Sequence, residues 1–286
     1  MYKGLSPGAI GVRANTLAEA LAAAKTGGFG GVEINPSEIA GLIETQGVDS
    51  VKAQFAAAGL KPAGWGLPTD WRGSEETWRK DLEELPRLAK AAAAIGCTRT
   101  STWIISGSND KPFGANYRFH VERFTPIAQI LAEYGCSVGL EFLGPKTIRN
   151  NQKYAFIYKM VDMLAMGEEI GPNVGVLLDA WHWYTGDDTL DSILALKPAQ
   201  VVYVHVNDAP TGVAIDQQID NVRCLPGETG VIDIAGFLKA LQTIGYDGPI
   251  TPEPFKKSLN DLPSDEARLK LVGASMDDIF KKAGLS

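Results

Sequence analysis

VGLEF (residues 138–142) is the first of four short apolar runs in the second half of the chain, and VGVLLD (174–179), VVYVHV (201–206) and PITPE (249–253) follow it. Each run has the length and apolar content of a buried strand. Because alternate side chains of a strand face opposite sides, the branched residues of each run share one face and the small or polar residues share the other. The branched faces are predicted to lie under helices, and the other faces to meet at a crowded centre.

A metal-ligating side chain stands at the inward-facing end of each run: Glu141, Asp179, His205 and Glu253. A lone buried carboxylate is costly. Three carboxylates converging with an imidazole are reasonable only if a cation neutralises them. This set of oxygen and nitrogen donors favours manganese and also suits magnesium or cobalt, while zinc stays open. The runs therefore predict a divalent-metal site at the carboxyl ends of the strands.

Strand and helix patterns alternate along the whole chain, with helices predicted near residues 49–59 and 151–170 among others. Eight strand–helix units over 286 residues average about 36 residues each, the size of a unit in a (β/α)8 barrel. We therefore predict an α/β fold with a single (β/α)8 TIM barrel, as one domain over residues 1–286. A doubly wound open sheet is the alternative, but it would not gather four consecutive strand ends around one centre.

The composition of the chain limits the classes of partner that it is expected to bind. The net charge is -7 and the pI is about 5.1, which disfavours a nucleic-acid partner and does not suggest an anionic membrane partner. No apolar stretch reaches the ~18 residues of a membrane span, and the first residues lack a signal-peptide core. The three cysteines form no CxxC pair, which fits a reducing compartment. We expect a soluble cytoplasmic protein with a small-molecule substrate.

Further polar and aromatic candidates stand near the predicted strand ends. Trp103 closes the run CTRTSTW and is predicted to form an apolar wall of the substrate pocket, with core or loop packing as an equal alternative. Glu33, in GVEIN, has the parity to reach the substrate pocket, although a structural hydrogen bond or ion pair is an equal alternative. Asn207 and Asp208 follow His205 closely and are expected to orient it or the substrate.

Five sequence blocks then carry a family resemblance: GLEFLGPK, VGVLLDAWHWY, VVYVHVND, VRCLPGETGVID and IGYDGPITPEPF. Together they resemble the xylose isomerase-like barrels of the sugar phosphate isomerase/epimerase superfamily, most closely the inosose (keto-inositol) isomerases. The resemblance is strong over residues 136–255. It implies a dimer or tetramer, and it implies that Glu141, Asp179, His205 and Glu253 bind manganese, magnesium, cobalt or zinc.

The resemblance also implies two substrate-binding residues. His182 matches the histidine of the family's Asp-x-x-His motif, and Arg223 matches its loop arginine. A structural histidine and a loop salt bridge are the respective alternatives. One position departs from the ketose 3-epimerases, because Thr147 stands where they carry a further glutamate. This departure favours a cyclic polyol ketone over an open-chain ketose.

These residues predict a metal-dependent isomerase or epimerase of an inosose-like polyol ketone or ketose. Glu141 and Glu253 are the predicted acid/base pair, moving a proton through a metal-bound enediolate. A metal-dependent lyase, dehydrating an inosose or cleaving 3-keto-glycosides or C-glycosides, would use the same enolate chemistry and is the alternative. A non-catalytic barrel with a structural metal also stays open. The acidic charge and only three histidines argue against an endonuclease that acts on abasic DNA.

Overall fold

The structure is a computed structural model that describes residues 1–285. Nine strands form one parallel sheet in the order β3-β2-β1-β11-β10-β9-β7-β5-β4, and β6 pairs with β8 in a small antiparallel ribbon. The strands are β1 (Tyr2–Leu5), β2 (Gly31–Val32), β3 (Lys61–Pro62), β4 (Trp65–Gly66), β5 (Arg99–Ile104), β6 (Gly107–Ser108), β7 (Ser137–Phe142), β8 (Tyr154–Ala155), β9 (Val174–Asp179), β10 (Val201–Val206) and β11 (Pro249–Pro252).

Helices follow the strands of the large sheet. Several begin at a residue whose side chain accepts a hydrogen bond from a backbone amide of the first turn, as at Thr16, Asn35, Ser74 and Ser264. The helices are α1 (Leu17–Thr26), α2 (Pro36–Gln46), α3 (Val48–Ala58), α4 (Glu75–Ala94), α5 (Phe113–Glu133), α6 (Lys146–Arg149), α7 (Met160–Ile170), α8 (Ala180–Thr185), α9 (Leu190–Leu194), α10 (Ile234–Thr243) and α11 (Asp265–Ala283).

The sheet closes into a barrel at an interrupted strand. β3 pairs with β2 and β4 pairs with β5, so the two short strands are halves of one barrel strand. Between them, the Ile34 amide donates a hydrogen bond to the Gly64 carbonyl at 2.9 Å. Counted this way, eight parallel strands surround the centre, and the predicted (β/α)8 barrel is confirmed.

Tyr203 fills part of the barrel interior. It is 1% exposed, and its hydroxyl lies 2.9 Å from Thr251 Oγ1. The ring has room because the strand opposite carries no side chain at Gly64, where a Cβ would lie 2.5 Å from the Tyr203 ring. Close packing of this kind leaves little tolerance for an added methyl group.

The register of β10 departs from simple alternation. Val201 pairs with Val176 and Tyr203 with Leu177, so the strand bulges at Val202. Val202 therefore lies within about 3.1 Å of the position that a Cβ of Gly139 would take. The expected placement of Val202 on the outer face is wrong, because a bulge turns two consecutive side chains inward.

The branched faces of the strands pack under the helices as expected. Buried contacts join Val138, Leu140, Val176 and Leu178 to the main apolar core. Over residues 1–285, no helix combines the length and hydropathy needed to cross a membrane.

One predicted helix differs from the structure in where it begins, and helix α2 was not predicted. The helix predicted near 151–170 begins only at Met160, because Tyr154–Ala155 pairs with Gly107–Ser108. An additional helix, α2, stands before the predicted 49–59 helix, which the structure places at Val48–Ala58.

Candidate active site

Four strand ends bring the predicted metal ligands together. Glu141 is in β7, Asp179 ends β9, His205 is in β10, and Glu253 directly follows β11. Each residue offers one ligand atom, and these atoms all lie within 4.8 Å of one another. His205 Nδ1 is 3.7 Å from Glu141 Oε1 and 3.5 Å from Glu253 Oε2. The adjacent parallel strands β7, β9, β10 and β11 therefore present one cluster at their carboxyl ends.

The cluster fits a divalent cation. Glu141 Oε1 and His205 Nδ1 are buried, and neither has a hydrogen-bond partner among residues 1–285. Buried polar atoms are normally paired, so unpaired atoms facing one another indicate a missing partner. Three carboxylate oxygens and one imidazole nitrogen are hard donors suited to such an ion.

Arg223 contacts the other two ligands. Its Nη1 donates to Asp179 Oδ2 at 2.8 Å and to Glu253 Oε2 at 3.0 Å, and its Nη2 donates to Asp220 Oδ1 at 2.8 Å. The residue is 3% exposed. The four ligands therefore fall into two pairs. Asp179 and Glu253 are bonded to the Arg223 guanidinium, while the facing atoms of Glu141 and His205 have no such bond.

Asp179 is fixed in place by further bonds. Its Oδ1 accepts the Trp181 amide at 2.7 Å and the Asn207 side-chain amide at 2.9 Å. Asn207 was expected to orient His205 or the substrate, and the structure instead places its side-chain amide on Asp179. Asp208 has a different role, because it accepts backbone amides of the following loop, including those of Thr229 and Gly230.

Burial and charge shift the protonation equilibria of the cluster. Burial raises the pKa of Glu141. Burial also acts to raise the pKa of Asp179, but Arg223, the two neighbouring histidines and the Trp181 amide together outweigh it and lower that pKa to about 2. Burial acts to lower the pKa of His205, yet Glu253 and Glu141 raise it well above its usual value. The negative charge of the cluster thus stabilises positive charge placed between its members.

His182 lies beside the cluster on α8. It is 1% exposed, and the Gly144 amide donates to its Nδ1 at 3.3 Å, which leaves the proton on Nε2. Nε2 lies 3.9 Å from Glu141 Oε1 and 3.8 Å from Asp220 Oδ1. Both distances exceed a hydrogen bond, so this proton has room to meet an oxygen between them.

A pocket of about 330 Å³ opens onto the cluster. Two partly exposed aromatic side chains line it, Trp103 at 45% and Phe255 at 37% exposure. The Arg72 guanidinium lies between the indoles of Trp71 and Trp103, at 3.9 and 3.7 Å from the ring centroids, and supports the Trp103 ring. The lining residues are Trp103, Glu141, Leu143, His182, Asp220, Asn221, Arg223, Glu253 and Phe255.

Glu33 lies elsewhere. It lines a separate cavity of about 640 Å³ beside β1 and β2, with Arg13 and Asn35, and none of the four proposed metal ligands lines that cavity. The larger cavity therefore lacks the metal-ligand cluster. The other sequence candidates, Trp103, His182 and Arg223, all line the smaller one.

Asp220 is a pocket residue that the sequence did not identify. It lies in the long loop after β10, three residues before Arg223, and its Oδ1 accepts from that arginine. The only sequence signal was its nearness to Arg223, which does not distinguish a pocket carboxylate from a surface one.

The chain belongs to the xylose isomerase-like TIM barrel family, whose profile matches residues 21–277. A xylose isomerase domain protein from Alicyclobacillus acidocaldarius superposes with a TM-score of 0.85 at 31% identity, covering 99% of both chains. The inosose isomerase of Bacillus subtilis (strain 168) is 28% identical over 165 residues, 56% of this chain and 55% of the relative. A 3-dehydroshikimate dehydratase of Pseudomonas aeruginosa is 26% identical over 253 residues, 87% of this chain and 38% of the relative.

The chain thus spans about half the length of the inosose isomerase and a smaller share of the dehydratase. These names confirm the predicted resemblance and place the chain in a family of enzymes.

Proposed function

We propose that this protein is a divalent-metal-dependent isomerase or epimerase of an inosose-like polyol ketone. The observation that carries the proposal is the position of the two glutamates. Glu141 and Glu253 come from β7 and β11, the outer strands of the four that supply the cluster, and both line the same pocket. A ketone held between them would have a carboxylate on either side. The likeness to an inosose isomerase supports the substrate class.

The proposed roles follow from the contacts. Glu141, Asp179, His205 and Glu253 would hold the cation, with manganese the preferred ion. When bound, such an ion polarises a carbonyl and stabilises the negative charge that develops as the adjacent C–H loses its proton. One glutamate takes that proton and the other returns a proton to the neighbouring carbon.

Substrate placement is assigned to the rest of the pocket. His182 Nε2–H donates to a substrate oxygen, and Arg223 keeps Asp179 and Glu253 in position while it faces the substrate. Trp103 supplies an apolar wall for the C–H face of the ring. Glu33 is retained as a substrate contact only for ligands that reach the separate cavity beside β1 and β2.

The test is proton exchange. Inososes and open-chain ketoses are incubated with the Mn²⁺-loaded protein in deuterated water, and deuterium at the carbon beside the carbonyl is followed by NMR. Glu141→Gln and Glu253→Gln should each reduce exchange by about 10²–10⁴-fold, the usual contribution of a general acid or base. Glu133→Gln, an exposed change at the end of α5, is the matched control. Exchange that survives both pocket substitutions would contradict the acid/base assignment.

A lyase is the second candidate, and the match to a dehydratase over 87% of this chain favours it. Both reactions begin with loss of the same proton. The NMR experiment separates them, because an isomerase or epimerase incorporates deuterium without losing a group, whereas a lyase releases water or another β-substituent.

A further inference from the structure

The long loop after β10 brings a third carboxylate into the pocket, in addition to Glu141 and Glu253 of the metal cluster. Asp220 lines the pocket, its side chain is 26% exposed, and its Oδ1 is 2.8 Å from Arg223 Nη2. This single bond leaves the carboxylate with acceptor capacity to spare. Asp220 is thus a charged acceptor reachable by a ligand, next to the metal cluster and outside it.

Contacts with α6 hold this loop over the pocket. Thr147 Oγ1 donates to the Gln218 carbonyl at 2.8 Å, and Lys146 Nζ lies 2.6 Å from Asp216 Oδ2. Gln218 is 1% exposed, and its side-chain amide donates to the Val213 carbonyl at 3.0 Å. The segment that carries Asp220 is therefore anchored two residues before the carboxylate.

A donor without an acceptor faces Asp220. The Gly144 amide makes the shorter of the two N–H contacts to the imidazole and assigns the His182 proton to Nε2, which lies 3.8 Å from Asp220 Oδ1 and 3.9 Å from Glu141 Oε1. Arg223 Nη2 is 3.4 Å away, but both nitrogens carry protons and cannot bond to each other. The buried His182 donor and Asp220 Oδ1 therefore leave a polar gap between them that a ligand atom would fill.

We propose that Asp220 and His182 together bind one hydroxyl group of the polyol ketone, and that Asp220 makes this hydroxyl a requirement for binding. This inference rests on the proposed function for the identity of the ring that carries the hydroxyl. A hydroxyl oxygen accepts from His182 Nε2–H while its proton goes to Asp220. A carbonyl has no proton for Asp220, and an ammonium group has no lone pair for His182.

The hydrogen bond between the ligand hydroxyl and the Asp220 carboxylate would determine which ligands bind. A hydrogen bond to a charged group contributes about 1.5–3 kcal/mol, and a ligand that lacks the hydroxyl leaves the carboxylate and the imidazole without partners. Asp220 acts on recognition and not on the reacting carbon, which lies between Glu141 and Glu253 in the proposed reaction.

The test compares a hydroxyl-bearing ligand with analogues that lack one hydroxyl. Binding of myo-inositol and of each monodeoxy-inositol is measured by tryptophan fluorescence, and kcat and KM are measured for an inosose and its monodeoxy analogues. In the wild-type protein, removal of one particular hydroxyl should weaken binding by about 10- to 100-fold. In Asp220→Asn the same removal should cost less than about threefold. Asp261→Asn, the same charge change at an exposed position away from the pocket and its loop, should behave as wild type.

The outcomes separate a contact from a merely structural role. If Asp220 only orients Arg223, Asp220→Asn will weaken all ligands equally and preserve discrimination between them, which overturns the inference. Unchanged thermal unfolding and Mn²⁺ affinity of the variant establish that fold and metal site are intact.

The same data distinguish failure here from failure of the proposed function. Asp220-dependent discrimination of inositols without turnover of inososes overturns the function alone. Turnover without Asp220-dependent discrimination overturns this inference alone, and a wild-type protein that distinguishes none of the analogues also overturns it.

Discussion

Arg223 is the residue that joins the metal cluster to the substrate pocket. Its guanidinium bonds to Asp179, Glu253 and Asp220, so it neutralises part of the charge that a cation would neutralise. A charge this close also repels the cation. At an effective dielectric constant of about 20, two unit charges about 5 Å apart interact by roughly 3 kcal/mol. The guanidinium therefore organises two metal ligands and at the same time weakens their hold on metal.

Arg223→Met should tighten Mn²⁺ binding by about tenfold or more, because loss of the repulsion outweighs the loss of ligand order. The metal-free variant should be destabilised by about 3–5 kcal/mol, since Asp179 and Glu253 lose their buried partner. Titration calorimetry and urea unfolding with and without Mn²⁺ measure both effects. Arg87→Met removes an exposed ion pair on α4 and serves as control. Weaker Mn²⁺ binding by Arg223→Met would show that ligand order dominates.

His120 gives a pH dependence that is separate from the site. Its Nδ1 bonds to the Asn116 carbonyl at 2.7 Å, and its Nε2 is buried without a partner, close to the rings of Trp71 and Phe156. Burial lowers its pKa to about 4, below the 6.5 of an unfolded chain. Between these values the unfolded state binds a proton that the folded state does not, so stability falls as the pH falls.

The difference between the folded and unfolded pKa values of His120 lowers the free energy of unfolding by about 3 kcal/mol between pH 7 and pH 4. His120→Phe keeps an aromatic ring and removes the titration, so its stability relative to wild type should improve by about that amount over the same range. Chemical unfolding at several pH values provides the measurement. A stability difference between the two proteins that does not change with pH would contradict the assignment.

Residue positions were predictable where strand geometry fixes them. Glu141, Asp179, His205 and Glu253 could be placed together because alternation along a strand determines which side chains reach the centre. Asp220 could not, because its position depends on the contact between Thr147 and Gln218, far apart in sequence. Loop conformation of this kind leaves no local pattern.

At the level of elements, eight strand–helix units were visible in the sequence, but their irregularities were not. The bulge at Val202 arises from packing between neighbouring strands, which alternation in a single strand cannot report. Helix α2 did carry local signals, since Asn35 caps it and Pro36 occupies its first turn. Helix α2 was not predicted, because eight strand–helix units already accounted for the whole chain.

The interrupted strand also permits a paired test of interior packing. Gly64→Ala would place a methyl group 2.5 Å from the Tyr203 ring, whereas Gly66→Ala meets nothing within 4 Å. We expect Gly64→Ala to lower the free energy of unfolding by about 1–3 kcal/mol. Gly66→Ala should change it by less than about 0.5 kcal/mol. Equal effects in urea unfolding would mean that the Tyr203 ring moves aside without cost.

For the whole molecule, metal binding and folding are linked. The four ligands come from distant parts of the sequence and meet only in the folded barrel, so a cation binds the folded state in preference to the unfolded one. At a free Mn²⁺ concentration of 100 Kd, the gain is about 2.7 kcal/mol. Calorimetry should show a rise in Tm of roughly 5 °C that a chelator reverses. The His205→Gln variant should lose most of this rise in Tm. A wild-type Tm that does not change when Mn²⁺ is added would contradict the metal site.

The short halves β3 and β4 also determine where the closed barrel opens. Two residue pairs join β3 to β2 and two join β4 to β5, whereas six pairs join β5 to β7. Two residue pairs also join β1 to each of its neighbours, so fluctuations that separate neighbouring strands should start among β1 to β4 and not between β5 and β7. In hydrogen–deuterium exchange, the amides of Ala63 and Leu67 should lose protection well before those of β7, even though all lie in the same sheet.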